Sequence, residues 1–566
     1  MSESPRQWPS NGDEAELFID VETTPVRHDQ RLPEPVVAAY AYGDGPIGLC
    51  SPEEARQRVA GATTVVGHNV AFDLAVLGCI GQDTRCYDTA IRATLLGAAH
   101  GDPAAADSSL KRLAKKVGIE LGGKGTVQLS FRQGVPLTPE QESYVKEDIR
   151  ATRAVYRDQP RSLPDEQQQV AYARSIFAMA REGVHVDLPR IKSRVVDLER
   201  TIGVQRGELV DAGLIQPRGP KREPWKRSAV DGGRLQDLLE SAGAVKRTAT
   251  GDLAADEDVL LQCSKQHPLL ATLVEYNRAR KQYAMWSAFD TGEGDVVRAY
   301  WKPLVLTGRI SCSRPNLTNI PQRGGLRECI LPKTGKVLVV ADYPALEMRT
   351  WAYACLRWLG FSTLVELWRQ GKDPHWQTAA SILGTSYDGA LAHPRGKETR
   401  QIAKALNFGL PGGMGQDRLR EHLRSHGFDV GPLQAWELRR AWLKAYPEAK
   451  LYFEYIKNRA EGDKFRIELP DSRRVRCGFY SEACNYPFQG MGADCAKRAV
   501  QLSQRAGLCV LALVHDELLA ECDLADAQEV GTALTSAMRQ AGEERCPGVP
   551  WDNIEYKIYP ERWVSK

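Results

Sequence analysis

The sequence has thirteen cysteines in 566 residues but no two of them at CxxC spacing. That absence argues against a zinc site and a disulfide framework, and for a reducing compartment. No apolar run approaches the ~18 residues needed to span a bilayer, and Met1 to Asn11 lacks the apolar core of a secretion signal. The expectation is a soluble, cytoplasmic protein with no membrane association. Excess charge is missing too: 75 basic residues face 72 acidic ones, a net charge of +3. So small a surplus does not by itself imply a polyanionic partner, and any nucleic-acid surface must come from local clustering. No internal repeat or low-complexity tract is present. The remaining composition, 42% hydrophobic and 26% charged, is that of a globular protein long enough for several domains, each with its own core.

One stretch organises the chain. Val337 through Ala341 is an apolar, β-branched run of strand length that follows a Thr334-Gly335 turn signal. Asp342 stands where that strand should end. A carboxylate at the edge of a core needs a partner, or desolvation raises its pKa and neutralises it. A divalent metal is one such partner. A second apolar run, Cys509 through Val514, leads into His515-Asp516-Glu517 before Leu518-Leu519 resumes it. Two strands carrying acids to neighbouring positions would build a two-metal site, with ions about 3.5–4 Å apart, suited to phosphoryl transfer. Taken alone, each acid is an ordinary turn former or helix cap.

Between them, Arg400, Lys404 and Phe408 follow the four-residue step that aligns side chains on one helix stripe. Two cations and an aromatic on one stripe suit a triphosphate tail with a sugar or base above it. The order and wording of these stretches resemble family A DNA polymerases. Asp342-Tyr-x-x-x-Glu347-x-Arg349 resembles motif A, Arg400-x-x-x-Lys404-x-x-Asn407-Phe408-Gly409 motif B, and His515-Asp516-Glu517 motif C. Thr307 through Ser311, Pro315 through Pro321, and Gln489-Gly490-x-x-Ala493-Asp494 are similar to further family blocks.

The N-terminal region carries its own acids. Leu17 through Thr24 reads as a strand, and the spacing of two puts Asp20 and Glu22 on one face. Asp73 follows Gly67-His-Asn69, and Tyr144 and Asp148 lie one helical turn apart. Clustered carboxylates repel unless cations neutralise them. The set resembles the DEDD-type 3′–5′ exonucleases that proofread for these polymerases. That resemblance implies that Asp20, Glu22, Asp73 and Asp148 bind two metals and that Tyr144 orients the attacking water.

The implied fold class is α/β and α+β multidomain, an RNase H-like exonuclease followed by a right-hand polymerase of palm, fingers and thumb. Expected boundaries are an exonuclease domain at 1–160, a thumb with the lead-in to the palm at 165–323, palm at 324–350, fingers at 351–466 and palm again at 467–566. A long thumb helix is expected from Asp187 to Gly213. It is followed by a basic loop with Arg218, Lys221, Arg222, Lys226 and Arg227, in which Arg222 and Lys226 are expected to grip duplex phosphates. No large thumb insertion suggests a docked processivity factor. No separate 5′ nuclease domain like that of bacterial polymerase I is expected, which leans toward a phage origin.

By the same resemblance, Asp342 and Asp516 hold two Mg²⁺ ions, with Mn²⁺ as a substitute, and the exonuclease site holds two more. Tyr343 is expected beside metal and nucleotide. Arg400, Lys404 and His375 clamp the triphosphate, Lys404 is a candidate general acid toward pyrophosphate, and Glu347 and Phe408 face the sugar. Arg309 and Gln489 read minor-groove acceptors shared by all correct pairs, with Asn485 and His515 also at the DNA. Glu517 matches its motif without being an expected ligand. Expected partners are primer-template DNA, deoxynucleoside triphosphates and replisome proteins such as a helicase and a single-strand-binding protein, acting on a monomer. Two departures stand out: Pro344-Ala345 replaces the usual small polar or Gln residues of motif A, and Pro411-Gly412-Gly413 replaces the end of motif B, where a tyrosine is usual. Rival readings are an exonuclease that trims ends with weak synthesis, and a catalytically dead DNA-binding scaffold.

Overall fold

The computed structural model describes residues 16–564 apart from 28–29, 31, 82–83, 123–124, 161, 218–227, 249, 293 and 473. The thumb loop residues Arg218, Lys221, Arg222, Lys226 and Arg227 therefore lie outside the described residues. Among the described residues no helix is long and apolar enough to cross a membrane.

The N-terminal region is built on a five-stranded sheet. Strand Leu17–Thr23 lies at its centre, antiparallel to Pro35–Tyr42 and parallel to Thr64–Gly67, with Gly48–Cys50 and Arg85–Asp88 at the edges. Leu17, Phe18 and Ile19 are all fully buried, because helices cover both faces of this strand. Alternation sorts its side chains. Leu17, Ile19 and Val21 pack with Leu74 and Val170, whereas Phe18 packs with Tyr144, Val145 and Ile149 of helix Pro139–Asp158. Asp20 and Glu22 share the parity of Phe18, so the strand's period of two turns them toward the helix that carries Asp148.

Helix Glu166–Glu182 joins this region to the rest of the molecule. Its first residue, Glu166, forms an ion pair with Arg92, and both side chains are fully buried. The Arg92 guanidinium lies 4.6 Å from the Tyr87 ring centre and 4.5 Å from that of Tyr156, so the buried cation is enclosed by aromatic faces.

Two long helices, Leu188–Asp211 and Pro268–Ser287, pack against each other where the thumb was expected. Ile191, Leu198, Ile202 and Leu209 recur at spacings of seven and four, which lays one apolar seam along the first helix. A four-stranded sheet, where the palm was expected, runs Cys509–Val514, Glu517–Asp523, Lys336–Asp342, Glu555–Tyr559, all antiparallel. Val337 to Ala341 are buried throughout, as the unbroken apolar run predicted. Helices Tyr480–Arg505 and Ala527–Arg545 pack against this sheet. Between the two halves of the sheet, residues 346 to 457 are almost entirely helical, from Leu346–Leu359 to Glu448–Lys457.

Candidate active site

Asp342 ends an inner strand of the four-stranded sheet, opposite Glu517 on one neighbour and Glu555 on the other. The main-chain N–H of the next residue, Tyr343, donates to the Asp516 carbonyl at 3.2 Å. That bond ties the strand end to the two-residue turn His515-Asp516, so the two acids predicted from separate runs lie side by side. The turn needs His515 in the left-handed region, at φ 55°, and the His515 N–H donates to the Thr318 carbonyl at 3.2 Å. Burial lowers the pKa of His515, and the nearby Arg327 lowers it further.

Tyr343 itself does not reach the site with its side chain. Strand alternation turns it away from Asp342, its hydroxyl donates to the Met538 carbonyl at 2.7 Å, and its ring packs edge-on against Trp551. The expected contact to nucleotide or metal can therefore fall only to its main chain. Glu517 is also turned inward. Its carboxylate accepts from Arg327 at 2.7 Å, both side chains are buried, and the arginine lies over the Trp563 ring.

A cleft of about 500 Å³ opens beside Asp516 and is lined by Arg309, Glu347, Phe408, Gln489 and His515. Arg309 and Glu347 form an ion pair across it. Phe408 is 41% exposed to the cleft. It sits on helix Gly396–Gly409, on the exposed stripe with Arg400 and Lys404, while Ile402, Ala403 and Leu406 face the core. At the far end of that stripe Arg400 Nε donates to Asp373 Oδ2 at 2.8 Å. Asp373 also caps helix Pro374–Leu383, accepting from the His375 N–H at 2.7 Å. The His375 ring lies 6.0 Å from the Phe408 ring. Burial lowers its pKa to about 4, with Arg400 and Lys404 acting in the same direction and Asp373 opposing.

Gly412 and Gly413 do not leave the helix end loose. The helix continues as a 3-10 turn, Leu410–Gly412, that lies against helix Tyr480–Arg505. A Cβ at Gly412 would come within 2.7 Å of Asn485 Oδ1, and one at Gly413 within 2.9 Å of Cys484 Sγ. Asn485, expected at DNA, donates to the Ser481 carbonyl at 2.6 Å and lies 3.4 Å from the Gly412 carbonyl. Gln489 reaches back toward Asn485 at 3.5 Å.

Beneath Arg309 lies a network for which the sequence offered only Asp494. Asp494 is fully buried and accepts from Arg474 at 3.1 Å, while Lys497 Nζ donates to Gln169 at 2.6 Å and to the Gly308 carbonyl at 2.9 Å. Burial would raise the Asp494 pKa, but Arg474, Lys497 and Arg545 outweigh it and hold it at about 2. The network fixes the residue before Arg309 and ties it to the joining helix through Gln169.

In the N-terminal region, carboxylate oxygens of Asp20, Glu22 and Asp148 all lie within 4.8 Å of one another. Asp73 stands slightly apart, accepting the Val21 N–H at 3.2 Å, and its second oxygen is buried without a hydrogen-bond partner. Burial, and then Asp20, raises the Asp73 pKa well above the ordinary carboxylate range. The Tyr144 hydroxyl is likewise buried, beside Asp148. Burial and the adjacent Asp148 raise its pKa. Crowding of this kind is what a bound cation relieves.

The family model "DNA polymerase family A" matches residues 233–552, more than half of the chain. The chain belongs to family A of the DNA polymerases. The polymerase is similar to DNA polymerase I of Aquifex aeolicus, 25% identical over 538 residues that cover 88% of each chain. It is 27% identical to DNA polymerase I of Pseudomonas aeruginosa over 81% of its own length and 52% of that protein. It is 28% identical to the thermostable DNA polymerase I of Thermus filiformis over 65% and 45%. It thus spans most of the first relative and about half of the other two. Its fold matches the POL domain of Pol1 from M. smegmatis with a TM-score of 0.71 at 20% identity, covering 98% of this chain and 96% of that one. The polymerase's Asp373, Asn407 and Arg327 contacts were not foreseen. Asp373 lies two residues before His375 and Asn407 within motif B, but nothing in their spacing named their partners.

Proposed function

We propose that the palm cleft joins a deoxynucleotide to a primer 3′ end under template direction, and that the Asp20–Glu22–Asp148 cluster hydrolyses 3′ ends as a proofreading site. The observation that carries the first part is the Tyr343 N–H to Asp516 carbonyl bond, which brings two acids 174 residues apart in sequence together beside a cleft that Phe408 lines, with Arg400 and Lys404 on the helix stripe of Phe408 and the His375 ring 6.0 Å from it. Two acids beside two cations suit a metal-bridged triphosphate. Asp342 and Asp516 would hold Mg²⁺ there, and Asp20, Glu22 and Asp148, with Asp73 alongside, would hold it in the second site. Such ions neutralise developing charge on phosphoryl oxygens. The protein's own residues do the rest: Arg400 and Lys404 hold the phosphates, Phe408 and Glu347 bound the sugar, and Arg309 and Gln489 meet the minor groove. Lys404 is the candidate general acid toward departing pyrophosphate. Tyr144 orients water in the N-terminal site. A primer-template and a deoxynucleoside triphosphate, both present in the M. smegmatis Pol1 complex, are the proposed partners.

A primer-extension assay with and without nucleotides tests the reading. Extension with nucleotides and shortening without them supports it. Shortening alone would favour an end-trimming exonuclease, and binding alone a scaffold.

A further inference from the structure

Asn407 lies one residue before Phe408 but on the opposite, inner side of the helix, and its side chain is 1% exposed. Its amide is held from three directions. The indole N–H of Trp442 donates to Oδ1 at 3.0 Å, the Thr378 hydroxyl stands 2.9 Å from the same oxygen, and Nδ2 lies 2.9 Å from His375 Nδ1. An indole nitrogen can only donate. The group facing Trp442 must therefore be the amide oxygen, and the NH₂ is left facing His375. An NH₂ can only donate as well, so His375 Nδ1 must accept with its lone pair. The imidazole proton is then on Nε2.

We propose that Asn407 is a positioning residue that selects the Nε2–H tautomer of His375 and keeps the ring neutral. His375 then serves the triphosphate as an uncharged hydrogen-bond donor while Arg400 and Lys404 supply the charge. The inference rests on the reading of His375 as a triphosphate contact. The groups facing the ring agree with it. Arg400 and Lys404 from the neighbouring helix both oppose a second positive charge, and Asp373, the nearby acid, is already held by Arg400. Tyr446, from the end of helix Pro432–Ala445, stands 3.0 Å from the Thr378 hydroxyl and donates to the Pro374 carbonyl at 2.8 Å, while the Tyr387 hydroxyl accepts the Asp373 N–H at 3.0 Å. Neither tyrosine brings a charge. Burial lowers the His375 pKa to about 4, in the direction the tautomer lock requires.

The test is ¹⁵N spectroscopy of the full chain labelled at histidine, with the His375 signals assigned by their loss in His375→Gln. At pH 7 the wild type is expected to show a proton on Nε2 and a bare Nδ1. Asn407→Asp keeps an oxygen for Trp442 but turns a carboxylate toward Nδ1. His375 should then hold both protons near neutral pH, and the KM for nucleotide should fall about five- to tenfold from pH 8 to pH 6, with kcat less affected. The wild-type KM should show no such dependence. A proton on Nδ1 in the wild type, or a charged ring at pH 7, overturns the inference without any variant having to fold. So does an Asn407→Asp protein whose spectrum and KM profile match the wild type. Should His375→Gln leave KM unchanged, the triphosphate reading fails instead, and the tautomer measurement still stands on its own.

Discussion

The two acidic centres of this polymerase are built on opposite plans. In the N-terminal region three carboxylates crowd within 4.8 Å, next to a fourth whose pKa burial raises. In the palm cleft the acids Asp342 and Asp516 sit at a strand end and a turn, Arg309 lines the cleft, and Arg400 and Lys404 share the helix stripe of Phe408, which also lines it. A crowded acid set relies on cations alone and suits cleavage of a strand that brings little else. An acid pair facing fixed cations is matched to a polyanionic substrate that must be held and then released in part as pyrophosphate. Charge balance thus separates two sites for which one kind of chemistry is proposed.

Breaking the comparison outright should give the largest effect. Asp342→Ala or Asp516→Ala should reduce primer extension on the order of a thousandfold while 3′ digestion of single strands persists. Asp20→Ala combined with Glu22→Ala should do the reverse. A folded variant that loses both activities would mean that the centres are not independent.

The joint between the regions comes next. Glu166→Ala would strip the carboxylate from a buried Arg92, and breaking a buried pair typically costs about 3–5 kcal/mol. Denaturant titration should show that loss, and per-molecule extension by the folded fraction should be unchanged. A shift below about 1 kcal/mol would show that the aromatic faces around Arg92 suffice.

Two substitutions sharpen the cleft itself. With Phe at 408, a dideoxynucleotide leaves a hydrogen bond unmade in a partly desolvated pocket, at a cost of roughly 1–3 kcal/mol. Phe408→Tyr offers a hydroxyl in its place, so chain-termination assays should show readier dideoxynucleotide incorporation with normal extension little changed. Equal incorporation by both proteins would remove the ring from the sugar. Glu347→Ala should lower the preference for deoxyribonucleotides by about tenfold, or ~1.4 kcal/mol. Because Glu347 is paired with Arg309, the same change should also alter how tightly primer-template is held. Unaltered selectivity for both sugars would exclude Glu347 as the gate.

A last expected effect is on stability against pH. His375 has its pKa lowered to about 4 in the folded chain, against about 6.5 when unfolded. A lowered histidine pKa means that the unfolded chain takes up the proton first. Stability is therefore complete above pH 6.5 and declines as pH falls toward 4, with a limiting slope of about 1.4 kcal/mol per pH unit. His375→Gln should remove that component, as seen by denaturant titrations at pH 4.5 and 7.

What the sequence determined by itself lies within single elements. The apolar run Val337–Ala341 with an acid at its end, the parity of Asp20 and Glu22, and the stripe of Arg400, Lys404 and Phe408 all follow from periods of two and about four residues, which depend only on local geometry. Which partner each polar group met was decided by tertiary structure. Asp373 reaches Arg400 across 27 residues, Arg327 reaches Glu517 across 190, and Gln169 reaches Asp494 across 325. No local period encodes such pairings. They form because a buried donor or acceptor left unpaired costs free energy, and packing determines which group is near enough to satisfy it. The same logic turned the Tyr343 side chain into the core and set Asn485 against Gly412.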